Sequence, residues 1–279
     1  MTYDPKNQQP NDTHSGNIDV VEMDVEIKTP DGMCDAAYFY PDKGHRDTGS
    51  CPGVLVWSDA FGLRPALRAL ARRLASEGDG YSVLVPNPFY RVSQASVADP
   101  SSFNFKNPDD MARLRPMMAS VTAPGNAEKD AAAYVAFLDA QKEVDRSRKI
   151  GNQGYCMGGA LAVRTAAHLP GRIGAGASFH GGGLVTDKPD SPHLLAPKIK
   201  ARMYFGIASN DDSRQPDAKD KLKEAFAAAR VSAEIEVYSA LHGWCMTDMP
   251  AREGVPIYNK AEAERAWGKL VSLYKAALG

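Results

Sequence analysis

The chain lacks the features that mark several protein classes. Its four cysteines, Cys34, Cys51, Cys156 and Cys245, are widely spaced and form no C-x-x-C pair. That excludes a zinc ribbon and a dithiol redox motif, and it fits a reduced, cytoplasmic protein. Excess charge is also missing: 33 Lys and Arg face 34 Asp and Glu, a net charge of -1. Neither nucleic acid nor an anionic membrane is therefore expected as a partner. The longest apolar run, "AAAYVAFL", is far too short to cross a bilayer, and the opening "MTYDPKNQQPNDTHSGN" has no signal-peptide apolar segment. With 43% hydrophobic and 24% charged residues the composition is globular, and a small molecule is the partner that remains.

Residues 1–17 read as a disordered arm and 18–279 as one domain, since open α/β sheets of this length often enclose a single core. Val20 to Lys28 alternate apolar and charged residues, and Met33 to Tyr40 form a second β-rich run, which together predict an antiparallel hairpin. Six short apolar runs follow, at Gly53 to Trp57, Tyr81 to Pro86, Arg148 to Tyr155, Ile173 to Phe179, Arg202 to Ile207 and Ala233 to Ser239. They have the composition of buried parallel strands. Helix-period segments at Arg64 to Glu77, Ala127 to Gln141, Gly158 to Ala167, Gln215 to Arg230 and Ala261 to Leu278 lie between or after them. The alternation predicts an α/β fold, a mostly parallel sheet with helices on both faces. Arg91 to Ser120, rich in Pro, Ser and Asn, interrupts that rhythm and is expected as a long loop, either a lid or binding loop at 91–120 or a plain surface excursion.

In such a sheet ligands gather at the carboxyl ends of the strands, where the strand ending at Tyr155 passes into a helix. Gly154-Tyr155-Cys156-Met157-Gly158 is G-x-Nuc-x-G, a nucleophile elbow carrying cysteine. So sharp a turn needs small residues two before and two after its tip. The positive end of the following helix would lie beneath the sulfur and favour thiolate, and the Met157 N–H would aim at a developing oxyanion. A cysteine-phosphatase loop would need arginine at position 162, which is alanine. A dinucleotide loop would need different glycine spacing. A buried structural cysteine in a glycine-rich turn is the plain alternative.

An elbow in this fold predicts an acid after a later strand and a histidine after the last one. Of six histidines, His14 lies in the arm, His45 in the hairpin loop, His168 near a helix end and His193 in a Pro-rich loop. His180 follows a strand and could face the site, but it comes too early in the chain for the base. His242, in "SALHGWCM" after the final strand, stands where the order requires. The acid should follow "RMYFGI", where Asp211 and Asp212 are adjacent. Asp212 is preferred because it stands four residues before Pro216 at the opening of the next helix, with Asp211 the alternative. Metal binding by His242, Cys245 and Asp248 lacks a second ligand cluster, so no metal and no cofactor are expected.

With "WSDAFGL", "VPNPFYR", "GYCMGG", "ASNDD" and "LHGW" in this order, the chain resembles the dienelactone hydrolases (carboxymethylenebutenolidases) from about Val20 onward. The resemblance implies an α/β-hydrolase fold and a Cys-His-Asp hydrolase acting on a lactone or small ester through a thioester, with Cys156, His242 and Asp212 as triad. It implies that Asp59, where the family often has glutamate, holds the resting thiol, and that the Ala60 N–H is the second oxyanion donor beside Met157. It further implies that Arg91 binds a substrate carboxylate, whereas the second arginine of that clamp is replaced by Met246. Arg64, in "FGLRP", either approaches from the neighbouring loop or is a solvated charge at a helix start. Hydrolysis or transfer of an unrelated acyl compound, and a non-catalytic binding role on the same scaffold, are the alternatives.

Overall fold

A computed structural model describes residues 18–42, 50–94 and 99–279. The expected arm at 1–17, with His14, and the hairpin-loop residue His45 lie outside the described residues.

The opening hairpin pairs β1 (Val20–Thr29) with β2 (Gly32–Pro41) antiparallel, Val20 opposite Pro41 and Thr29 opposite Gly32. Next come β3 (Gly53–Trp57), β4 (Ser82–Pro86), β5 (Ile150–Tyr155), β6 (Ile173–Phe179), β7 (Arg202–Ala208) and β8 (Ala233–Tyr238). They form one eight-stranded sheet of order β1-β2-β4-β3-β5-β6-β7-β8. β2 joins β4 antiparallel, and every later pairing is parallel. β3, β4 and β5 are buried along their whole length, as strands covered on both faces must be.

The helices are α1 (Pro65–Ala75), α2 (Pro108–Thr122), α3 (Asn126–Ala140), α4 (Met157–His168), α5 (Ser209–Arg214), α6 (Ala218–Ala228) and α7 (Lys260–Leu278). Two apolar cores result. On one face Leu67 and Leu74 of α1 meet Leu270 and Tyr274 of α7 against the sheet. On the other, Tyr134 and Leu138 of α3, Leu161 of α4 and Phe226 of α6 fill the second layer.

The interval 91–120 is not one long loop. Its second half is α2, a 15-residue helix. The polar residues that suggested a loop start this helix: Pro108 stands at its first position, where a missing N–H costs nothing, and the Asn107 side chain accepts the Asp109 N–H at 2.9 Å. Asp109 and Asp110 complement the helix dipole in the first turn. Pro116 gives up one interior hydrogen bond, yet the helix runs on with Leu114 and Val121 buried. Before α2, Phe103 and Phe105 pack edge-on against Phe61, with centroids 5.4 and 5.8 Å away.

Candidate active site

Cys156 caps α4 with φ 53° and ψ -116°, a left-handed conformation that a side chain other than glycine adopts only under strain. The glycines around it make the turn possible. A Cβ on Gly154 would lie 1.9 Å from the Gly158 carbonyl oxygen, and one on Gly158 would lie 2.5 Å from that of Trp57. The first turn of α4 is thus pressed against the end of β3, which brings Met157 at the start of α4 to the same edge as the loop carrying Ala60. Both residues are buried.

Cys156 is partly exposed and opens into a cleft of about 440 Å³, lined by Met118 and Thr122 of α2, Met157, Leu161 and Arg164 of α4, and Pro192. Arg164 is held by Glu128 at 3.3 Å and by Asp190 at 2.9 Å, so its charge is compensated at the cleft wall.

His242 stands in the loop after β8, its backbone N–H bound to Asn210 Oδ1 at 2.8 Å. Its Nδ1 lies 2.6 Å from Asp211 Oδ2. Asp211, not the preferred Asp212, is therefore the imidazole's partner. Residues 209–214 form the short helix α5, in which successive side chains diverge by about 100°. Asp211 faces His242, and Asp212 turns away to Lys219 at 2.8 and 3.0 Å. Pro216 does precede the next helix, α6, but both aspartates sit in the separate turn α5, so distance from Pro216 does not choose between them.

Burial disfavours charge on His242, but hydrogen bonds to Asp211 and to the Cys156 sulfur, with the negative charge of the carboxylate and of ionised sulfur, outweigh it and raise its pKa to about 10. The proton is thus held more tightly in the folded chain than in the unfolded one, whose histidine titrates near 6.5. The stabilisation is complete below that value and is lost as pH rises through about 10. The Tm difference between wild type and Asp211→Asn is accordingly expected to be largest near pH 6 and to shrink steadily toward pH 10. A difference independent of pH over that range would contradict the coupling.

A strained cysteine elbow after β5, a carboxylate after β7 and a histidine after β8 converge on one edge of the sheet. Residues 36–278 match the sequence profile of the dienelactone hydrolase family. The chain belongs to that family. It is a hydrolase acting on esters or lactones. Carboxymethylenebutenolidase of Rhodococcus opacus is 30% identical over 193 residues, 69% of each chain. Protein usf of Aquifex pyrophilus is 27% identical over 232 residues, 81% of this chain and 89% of that protein. The solved structure of m3DLH superposes with a TM-score of 0.75 at 25% identity, covering 93% of this chain and 99% of the other.

Two residues expected to act as in other dienelactone hydrolases, Asp59 and Arg91, are engaged by other side chains of this chain. Asp59 does not meet the thiol. Its carboxylate receives the Arg64 guanidinium at 2.7 and 2.9 Å and the Phe61 N–H at 2.9 Å, within its own loop. The aspartate side chain is one methylene shorter than the family's glutamate and is closed into this local pairing. Arg64 is neither solvated nor free: it is 4% exposed and also binds Asp248, Nε to Oδ2 at 2.6 Å.

Arg91 is likewise engaged by carboxylates of its own chain. It grips the fully buried Asp130 at 2.8 and 2.6 Å and Asp31 in the hairpin turn at 3.0 and 2.7 Å. This ties the hairpin to α3 and occupies four of the five guanidinium N–H groups. Met246, in place of the second arginine, is buried. Arg91→Ala should leave the activity ratio between carboxylate-bearing and neutral esters unchanged. It should cost about 3 kcal/mol of stability, because Asp130 loses its buried charge partner. Urea unfolding and paired kinetics check this, and a loss confined to carboxylate substrates would return Arg91 to recognition.

Nor do His242, Cys245 and Asp248 converge on a metal. Asp248 turns to Arg64, and Cys245 lines a separate cavity of about 180 Å³ between α1 and α7. Among the described residues no group of three or more His, Cys, Asp or Glu is placed to hold an ion. No described helix is long and apolar enough to cross a membrane. Sequence order passed over Asn210, although it stands in the same "ASNDD" run as Asp211, and it also passed over the packing of His180 against the site.

Proposed function

We propose that this chain is a cysteine hydrolase that cleaves a lactone or small activated ester. The observation that carries the reading is the His242 imidazole, held between Asp211 Oδ2 at 2.6 Å and the Cys156 thiol at the tip of the elbow. The thiol proton rests on His242, whose raised pKa keeps it there, and Asp211 fixes the ring so that Nε2 faces sulfur. The thiolate adds to the substrate carbonyl, whose oxygen receives the N–H groups of Met157 and Ala60. Collapse expels the alkoxide or enolate, which takes the proton from His242, and leaves a Cys156 thioester. Water then gives a proton to His242 and its oxygen to the acyl carbon, freeing the acid and restoring the thiolate beside protonated His242.

The cleft beside Cys156 offers apolar walls from Met118, Met157 and Leu161 for the substrate. With Arg91 bound to two aspartates and Met246 in place of the other arginine, a free carboxylate on the substrate is not required. Four free cysteines suit a reducing compartment, and we infer the cytoplasm. The test is a panel of activated aryl and enol esters and unsaturated lactones, with and without a carboxylate, assayed for wild type beside Cys156→Ala. Saturable turnover by wild type alone supports the reading, and equal rates with both proteins would reject it.

A further inference from the structure

A second histidine lies directly behind the nucleophile. His180 follows the last residue of β6, is 1% exposed and takes φ 41°. Its own N–H donates to Gly206 O of β7 at 2.8 Å, which holds the backbone in that conformation. Its Nδ1 accepts the backbone N–H of Cys156 at 3.1 Å, which that N–H shares with Phe179 O, also at 3.1 Å. A backbone amide can only donate, so Nδ1 must be bare and the ring's one proton must sit on Nε2. Nε2 is buried with no hydrogen-bond partner among the described residues. Buried imidazoles that serve only packing ordinarily have both nitrogens satisfied.

The ring is wedged between the site and the core. The His242 ring lies 4.9 Å from it at a tilt of 59°, and Trp244 packs edge-on at 5.1 Å. A proton on Nδ1 would set N–H against N–H at Cys156 and a cation beside the His242 ring, so both contacts require a neutral imidazole.

We propose that His180 is a positioning residue of the active site: a neutral imidazole that pins the Cys156 elbow through its backbone N–H and packs against His242, setting sulfur and base in register. It touches no substrate and exchanges no proton. The inference rests on Cys156 as the nucleophile.

The test compares two variants that both tolerate the left-handed backbone of position 180. His180→Gly removes ring and acceptor, whereas His180→Asn places a carbonyl oxygen near the position of Nδ1. For the glycine variant kcat on an activated ester is expected to fall on the order of 100-fold with KM within about 3-fold, and asparagine is expected to recover at least ten-fold of that loss. Iodoacetamide labelling of Cys156, followed by peptide mass spectrometry, should fall and recover in parallel. This readout needs no turnover, so it stays interpretable even if Cys156→Ala retains hydrolysis and the proposed chemistry fails. If His180→Gly proves too unstable to assay, the asparagine variant is judged against wild type, with kcat within about ten-fold supporting the role. Wild-type kcat and labelling in His180→Gly, or asparagine no better than glycine, would overturn it.

Discussion

Replacing Cys156 with alanine is expected to abolish turnover of an activated ester, with kcat falling on the order of 10⁴-fold or more, while the fold is retained. None of the other three cysteines is poised to substitute. Cys34 is fully buried and raised by burial to about 12, and Cys245 is pushed well above the ordinary thiol range by the same cause. Cys51 is buried beside Ser82 in the packing between β3 and β4. Alanine also keeps the backbone amide that bonds Phe179 and His180, so the elbow loses only its sulfur. Residual rate over buffer would come from the oxyanion donors and the cleft. Circular dichroism and a Tm within a few degrees of wild type separate this outcome from misfolding.

The second large effect separates two neighbouring aspartates. Asp211→Asn should lower kcat by about 10² to 10⁴-fold, because an amide opposite His242 Nδ1 no longer favours the imidazolium or the ring orientation that faces sulfur. Asp212→Asn should stay within about 3-fold, since it breaks only a partly exposed pair with Lys219. Equal and large losses in both would mean that α5 acts as a folding unit and that its pairing with His242 is not the catalytic contact. A reversal, with Asp212 the sensitive one, would place the acid one residue along and require α5 to be turned.

What was legible in the sequence was what depends on local pattern or on strand order. Each strand lies within two residues of its apolar run. That Cys156 and His242 come together was legible because an elbow and the order of its partners leave a signature along the chain. The choice between Asp211 and Asp212 depended on a single helical turn, which a run of polar residues after a strand does not reveal. The fates of Arg64 and Arg91 depended on partners far away in sequence: Arg64 reaches Asp248 across 184 positions, and Arg91 reaches Asp31 and Asp130 across 60 and 39. Composition treats all these charges as solvated, and only the folded chain shows which carboxylate each arginine meets. The helix α2 was hidden for a related reason. Prolines counted as breakers stand at its first position and in its interior, and only burial of Leu114 and Val121 explains why it persists. Strand order favoured His242 over His180 as the base and left open that His180 faces the site, but order carries no information on what a buried ring packs against.

The central claim is that an acyl group passes through the sulfur of Cys156. The most direct test is acid quenching of wild type during the first turnover of a slowly deacylating activated ester, followed by peptide mass spectrometry. The predicted result is the substrate's acyl mass on the peptide containing Cys156, removed by hydroxylamine and absent from Cys156→Ala. Steady turnover with no acyl adduct, or an adduct on another residue, would contradict it.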